Sequence, residues 1–254
     1  MRHRRDQRDP MSAWLAPTYL GWIAHGYAVT LALAASVIVA ATFLGFVLAL
    51  VRSTDSAVAR QTASAYVTLV RNSPLIVQLL FWYYGAAMLL PSGLASWLNA
   101  PHRLAVGPLA IAWPSFEVVA GFVGLTLYTT TFVGEELRAG LSGVPKAQRE
   151  AAAALGLARV AAFRHVVLPQ AIRIAVPALV GQYMNVVKNS SLTMAIGVAE
   201  LSYASREVDS ATFKTFQAYG SATILYIVTI AVIEAVLIVY RRGSLVAGRR
   251  GIAR

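Results

Sequence analysis

Lys188, Asn189, Ser190 and Ser191 follow one another inside an otherwise apolar segment, Ile172 to Val198. A cation beside an amide and two hydroxyls is chemistry for holding a carboxylate, because the ammonium gives charge-assisted hydrogen bonds and its neighbours add further donors. An ionisable group in such a segment is costly unless it faces protein or water. The same four residues therefore also read as a tether, with the lysine snorkelling to an interface and Ser and Asn packing helix on helix. Thr131, in the triplet Thr129 to Thr131, and Glu135, three residues ahead of Arg138, join them as candidates for lining a path through the apolar layer. Helix packing is the competing reading for the threonine, and an ion pair at a solvated helix end for the glutamate. Reaction chemistry finds no comparable grouping. With no cysteine there is no thiolate, disulfide or cysteine-held metal, and His3, His25, His102 and His165 are too scattered to share an ion.

The elements that must position these groups are set by composition. Of the 254 residues 57% are hydrophobic and 13% charged, and the mean hydropathy is +0.61. That is far from ordinary soluble composition and indicates an all-α polytopic membrane protein. Runs long enough to approach the roughly 20 residues that cross a bilayer fall at 19–51, 75–90, 116–137, 172–198 and 216–240, which predicts about five transmembrane helices. The first run continues into the charged stretch "RSTDSAVARQ" and has no small-residue cleavage site, so it reads as a retained helix rather than a signal peptide. Residues 52–71 read as a loop. The prolines and tryptophans between Pro91 and Ser115 suit an interfacial hairpin. Flanking the core, residues 1–18 and 243–254 are basic end segments around a single domain, 19–242.

The net charge of +11 is a matter of topology rather than of nucleic-acid binding, since the basic residues occupy short loops instead of one patch with interleaved aromatics. Loop 52–71, segment 138–173 and tail 241–254 carry three, six and five of the Lys and Arg residues, 14 of the 22. The positive-inside rule assigns that side, with the C-terminus, to the cytoplasm. The arginines of "MRHRRDQRDP" then fall outside, which conflicts with the rule.

Segment 145–169 is too polar to span and too patterned to be a linker. Pro145 suits a first helical position, Ala147, Ala151, Ala154 and Leu155 share one face of the helix that follows, and Gly156 supplies its stop. A second short helix, 158–167, sets Val160, Phe163 and Val167 against Arg159, Arg164 and His165, and Pro169 redirects the chain into the next span. Two short helices joined by a glycine corner and fixed to membrane helices at both ends make a lever.

The register Glu150-Ala151-Ala152, Gly156, Val166 and Leu168-Pro169 resembles the cytoplasmic loop of bacterial ABC importer permeases. "LVRNSPLIVQLLFWYYG" from Leu69, "RAGLSGVPKAQ" from Arg138 and "VVKNSSLTMAIGVAEL" from Val186 are similar to the polar amino acid uptake family, over roughly Gly21 to Arg242. "YLGWI" from Tyr19 and "VVKNS" from Val186 lie nearest its glutamate/aspartate type. Val166 stands where isoleucine is commoner.

The resemblance implies a type I ABC importer permease fold in the bacterial inner membrane. It implies as partners a second permease, identical or homologous, ABC ATPase subunits on the cytoplasmic side, a periplasmic solute-binding protein and an amino acid substrate. Glu150, Ala151, Ala152, Gly156, Arg159, Leu168 and Pro169 would then couple the chain to the ATPase. This sequence has no Gly-x-x-x-x-Gly-Lys-Ser/Thr phosphate loop, so ATP is expected on the partner, and the chain itself is expected to be non-catalytic and to hold no cofactor. The alternatives are a self-sufficient secondary transporter, which needs no such lever and usually shows more helices or a repeat, and a membrane enzyme.

Overall fold

The computed structural model describes residues 14–252, apart from 101, 102, 107, 108 and 113. The chain opens with α1 (Pro17–Arg52), apolar all round, with proline in its first turn where the missing N–H costs nothing. Next comes α2 (Ala57–Arg71), whose first turn is capped by the Ser56 hydroxyl accepting from the Ala59 N–H at 3.4 Å. Two short helices, α3 (Leu75–Leu80) and α4 (Ala86–Leu89), join through a π-helical turn at Phe81–Gly85. The helix α5 (Ser92–Asn99) precedes the strands β1 (Arg103–Val106) and β2 (Leu109–Ala112). The long helix α6 (Phe116–Ser142) leads into α7 (Lys146–Ala154) and α8 (Arg159–Ala162). The chain ends with α9 (Leu168–Asn189), α10 (Leu201–Thr212) and α11 (Thr215–Ile252).

Four stretches are long and apolar enough to cross a membrane: Pro17–Arg52, Phe116–Ser142, Arg159–Ile196 and Thr215–Arg241. The second expected span is the exception, because the helix Leu75–Gly85 is short. Packing directions show what it does. α1 and α6 run parallel: Gly45 abuts Val133, and Arg52 at the end of one meets Glu135 near the end of the other. The chain between them must therefore return across the bundle, and α2 to α4 make that return together. α9 runs antiparallel to α6, with Ala171 beside Gly140 and Thr193 beside Gly121. α11 runs parallel to α1, and the Tyr27 and Thr229 hydroxyls meet at 2.7 Å. The last turn of α1, the last turn of α6, segment 145–169 and the later part of α11 thus share one end of the bundle.

The core lies where α1, α3, α6 and α9 meet, around Leu33, Val37, Leu79, Leu125 and Val186, all buried. Several sequence expectations change here. Residues 52–71 are not a loop, since α2 packs on α6, the Tyr66 hydroxyl donates to the Leu127 carbonyl at 2.7 Å, and the Arg71 guanidinium lies over the Phe132 ring. α10 was not foreseen. The expected hairpin between Pro91 and Ser115 contains a helix and a four-residue antiparallel β-ladder, Arg103 opposite Ala112 through Val106 opposite Leu109, within a fold that is otherwise α-helical as expected. α11 passes through residue 242 and continues to Ile252.

Candidate functional site

Segment 145–169 is built as the lever its sequence implies. α6 closes with the Gly143 N–H on the Ala139 carbonyl at 2.8 Å, Val144 is buried, and Pro145 turns the chain into α7. The Arg149 guanidinium donates to the Leu141 carbonyl at 2.7 Å and fastens α7 to the last turn of α6. Gly156 has φ +76°, the left-handed stop, with its N–H on the Ala153 carbonyl at 2.9 Å and the Leu157 N–H on the Ala152 carbonyl at 3.1 Å. Below the corner a buried apolar cluster of Leu141, Val144, Val167 and Ala171, with Phe163 packed against it, roots both arms in α6 and α9. The Gln170 side chain reaches the Gln148 side chain at 3.3 Å across the two arms.

Of the expected coupling residues, Ala152 is buried, while Glu150, Ala151, Gly156 and Arg159 are exposed. Leu155 is 81% exposed and Val160 78%. The face that carries Ala151, Ala154 and Leu155 turns outward, so the segment presents apolar side chains and a carboxylate to whatever lies beyond the bundle. Leu168 and Pro169 differ from expectation. The helix runs straight through them, because Phe163–Val167 widens to a π turn in which the Leu168 N–H bonds the Phe163 carbonyl, and Pro169 then falls in the first turn of α9. The second arm is continuous with its membrane helix, which makes it stiffer than a proline corner.

The polar set around Lys188 divides. α9 ends at Asn189 and a 3₁₀ helix, Ser190–Ile196, follows, ended by Gly197 at φ +91°. Lys188 is exposed and, with Ser191, Ser202, Tyr219, Thr223 and Tyr226, lines a cavity of about 380 Å³. Asn189 lines a different recess with Gln182 and Asn185. Ser190 and Thr131 are buried, each hydroxyl returned to its own helix, to the Val187 carbonyl at 2.7 Å and the Tyr128 carbonyl at 2.8 Å. Glu135 sits at the other end of the bundle, ion-paired with Arg52 and with Arg138 at 2.9 Å. The six residues therefore form no single site; Lys188 and Ser191 share a cavity.

Sequence reasoning missed Glu200. It is fully buried, caps α10 by accepting from the Tyr203 N–H at 2.8 Å, and accepts from the Tyr226 hydroxyl at 2.9 Å, linking α10 to α11. The Thr30 hydroxyl accepts from the Leu201 N–H at 3.0 Å, bringing in α1. Glu200 lies between the long apolar helices, and burial pushes its carboxyl above the usual range against the opposing pull of these hydrogen bonds. A glutamate just before a helix was the available signal, masked by its place in an apolar neighbourhood. Arg52 was missed as a partner of Glu135 because 83 positions separate them.

Parallel and antiparallel helices able to cross a membrane, fixed to a stiff two-armed segment at one end, define a multi-pass membrane component rather than a soluble protein. The chain belongs to the family of binding-protein-dependent transport system inner membrane components, whose model matches residues 41–243. It is similar to the glutamate/aspartate import permease protein GltJ of Escherichia coli (strain K12), with 30% identity over 92% of each chain. It also resembles the probable glutamine ABC transporter permease protein GlnM of Bacillus subtilis (strain 168), at 36% identity over 77% of this chain and 81% of that one. Among solved structures, an amino acid ABC transporter with histidines superposes with a TM-score of 0.74 at 27% identity, covering 89% of this chain and 95% of that chain. The inward-facing MetNI methionine ABC transporter shares the fold, with a TM-score of 0.68 at 19% identity over 90% and 99%.

Proposed function

We propose that this chain is the membrane-spanning permease subunit of an ATP-driven importer of polar amino acids, with glutamate or aspartate the leading candidate cargo. It pairs with a second permease, receives cargo from a periplasmic solute-binding protein and is driven by cytoplasmic ATPase subunits that bind the ATP. Support for the class comes from family membership, and support for the cargo from amino acid permease relatives. The observation that carries the mechanism is the rooted, outward-facing segment 145–169. An ATPase groove that grips α7 and moves on nucleotide closure displaces α6 and α9 together, because one apolar cluster ties both to the segment. Their displacement alternates access to a site between the helices.

Lys188 is the residue we assign to the cargo's carboxylate. Its ammonium is exposed and opens into the cavity of about 380 Å³, where it offers the charged donor that an anion needs. Testing the proposal takes the assembled complex in lipid, with ATP hydrolysis followed as binding protein loaded with glutamate, glutamine or histidine is added. Stimulation by loaded binding protein is expected. In Lys188→Met, loss of a charged hydrogen bond should lower transport by about 10- to 100-fold with the complex intact. No stimulation by any amino acid sinks the transport reading, and unchanged transport in the variant leaves Lys188 a structural residue.

The orientation follows from the shared end of α1, α6 and segment 145–169, where basic residues concentrate. Reporters fused after Arg254 and within the Pro91 to Ser115 region are expected on opposite sides, the first in the cytoplasm. Matching signals would refute the return crossing assigned to α2 to α4.

A further inference from the structure

At the end of the bundle that holds the lever, a cavity of about 690 Å³ opens between the membrane helices and the coupling segment. Arg52 and Arg138 line it from α1 and α6, Arg149 and Arg159 from the two arms of the lever, and Leu50 and Phe163 contribute apolar wall. Only Glu135 among the described carboxylates pairs with any of the four, through Arg52 and Arg138. Arg149 spends one N–H on the Leu141 carbonyl, and neither Arg149 nor Arg159 has an acidic partner among the described residues. Four guanidiniums against one carboxylate leave a strongly positive concavity that no other ion pair among the described residues neutralises.

Two features decide the class of anion. Guanidinium forks match the oxygens of a phosphate and bind it through paired hydrogen bonds. Two of the walls are the last turns of α1 and α6, so in the orientation proposed above the cavity lies where hydrocarbon gives way to the cytoplasm, and its lining mixes arginines with apolar side chains such as Leu50, Leu141 and Phe163. A soluble anion uses only the arginines, whereas a phospholipid uses both. A carboxylate from the ATPase is the poorer fit, because the face assigned to that partner, with Glu150 and Leu155, points away from this cavity, whose lining includes neither residue.

We propose that this cavity binds the phosphate of an anionic glycerophospholipid from the cytoplasmic leaflet, and that the lipid braces the coupling segment against α1 and α6. The cavity volume lies in the range of small-molecule sites. Arginines at such a surface each add a comparable increment of attraction to anionic lipid.

The test is lipid retention, which does not depend on transport. The assembled complex is extracted from vesicles of equimolar phosphatidylglycerol and phosphatidylcholine, and retained lipid is counted by native mass spectrometry. The intact complex is expected to retain phosphatidylglycerol in preference. Arg149→Gln with Arg159→Gln should reduce that preference by about 25-fold, and Arg206→Gln, on α10 away from the cavity, should leave it unchanged. Should the double variant fail to assemble, Arg159→Gln alone reads the same site, with an expected drop of about fivefold. Equal retention of both lipids by the intact complex, an unchanged preference in the Arg159 variant, or an equal loss in the Arg206 variant each overturns the proposal. Release of the bound phosphatidylglycerol by millimolar inorganic phosphate assigns the cavity to a soluble anion and overturns it too.

Discussion

Glu150→Lys is expected to stop uptake while leaving the permease folded, inserted and at normal abundance. Glu150 is exposed on α7 and makes no hydrogen bond or ion pair with the rest of the described chain, so within the permease the substitution should cost no more than about 0.5 kcal/mol. In the assembled importer the same side chain lies on the face we assign to the ATPase groove. Reversing a charge that becomes desolvated in an interface costs about 2–5 kcal/mol, which is more than a tenfold loss of productive docking. The predicted pattern is therefore selective: unchanged melting of the isolated permease, weakened co-purification of the ATPase, and ATP hydrolysis that no longer responds to loaded binding protein. Gly156→Glu should act more mildly. A Cβ there meets nothing within 4 Å, and the cost is the left-handed backbone alone, about 1–2 kcal/mol. Normal coupling in Glu150→Lys with the ATPase bound removes α7 from the docking surface and with it the proposed mechanism.

That segment was legible because its punctuation is local. Pro145 starts a helix and Gly156 ends it whatever surrounds them, and both do so here. Pro169 was misread by the same local logic: a proline after a helical stretch signals a bend unless the preceding turn widens, and the π turn at Phe163–Val167 depends on packing that no neighbouring residue encodes. α2 looked like a loop because Arg60, Gln61, Thr62 and Ser64 interrupt any long apolar run, and its helical side becomes useful only once α6 is there to bury Ala63 and Val67. The polar cluster at 188–191 failed as a unit for a geometric reason. Consecutive residues of an α-helix stand about 100° apart, so Lys188 and Asn189 at the end of α9 line different recesses, and Ser190, where the 3₁₀ turn begins, faces inward. The Arg52 to Glu135 pair requires α1 and α6 to run parallel, a property of the whole bundle that hydropathy along one chain does not contain.

The same dependence on helix crossings yields the largest stability effect expected for this chain. Gly140, in the last turn of α6, touches α9 so closely that a Cβ would stand 2.5 Å from the Ala171 carbonyl oxygen and 2.9 Å from the Ala175 Cβ. The first neighbour is backbone, with no flexible end to swing aside, so the helices themselves must separate. Separation reaches the apolar clusters on both sides of the crossing, Leu137 with Ala175 and Leu179, and Leu141 with Val144 and Val167. Overpacking of this kind costs about 1–3 kcal/mol, and Gly140→Ala should already incur about 2 kcal/mol, equivalent to a fall in melting temperature of about 4–8 °C. Gly140→Val, with two more methyl groups in the same gap, should fail to give a monodisperse protein in detergent. Gly181, in the same α9, is the control, because a Cβ there meets nothing within 4 Å. Gly181→Ala should be neutral or stabilise by about 0.5–1 kcal/mol through helix propensity. Equal melting temperatures for the two alanine variants would mean that α6 and α9 do not meet at Gly140, and the crossing that joins the coupling segment to the membrane bundle would then have to be redrawn.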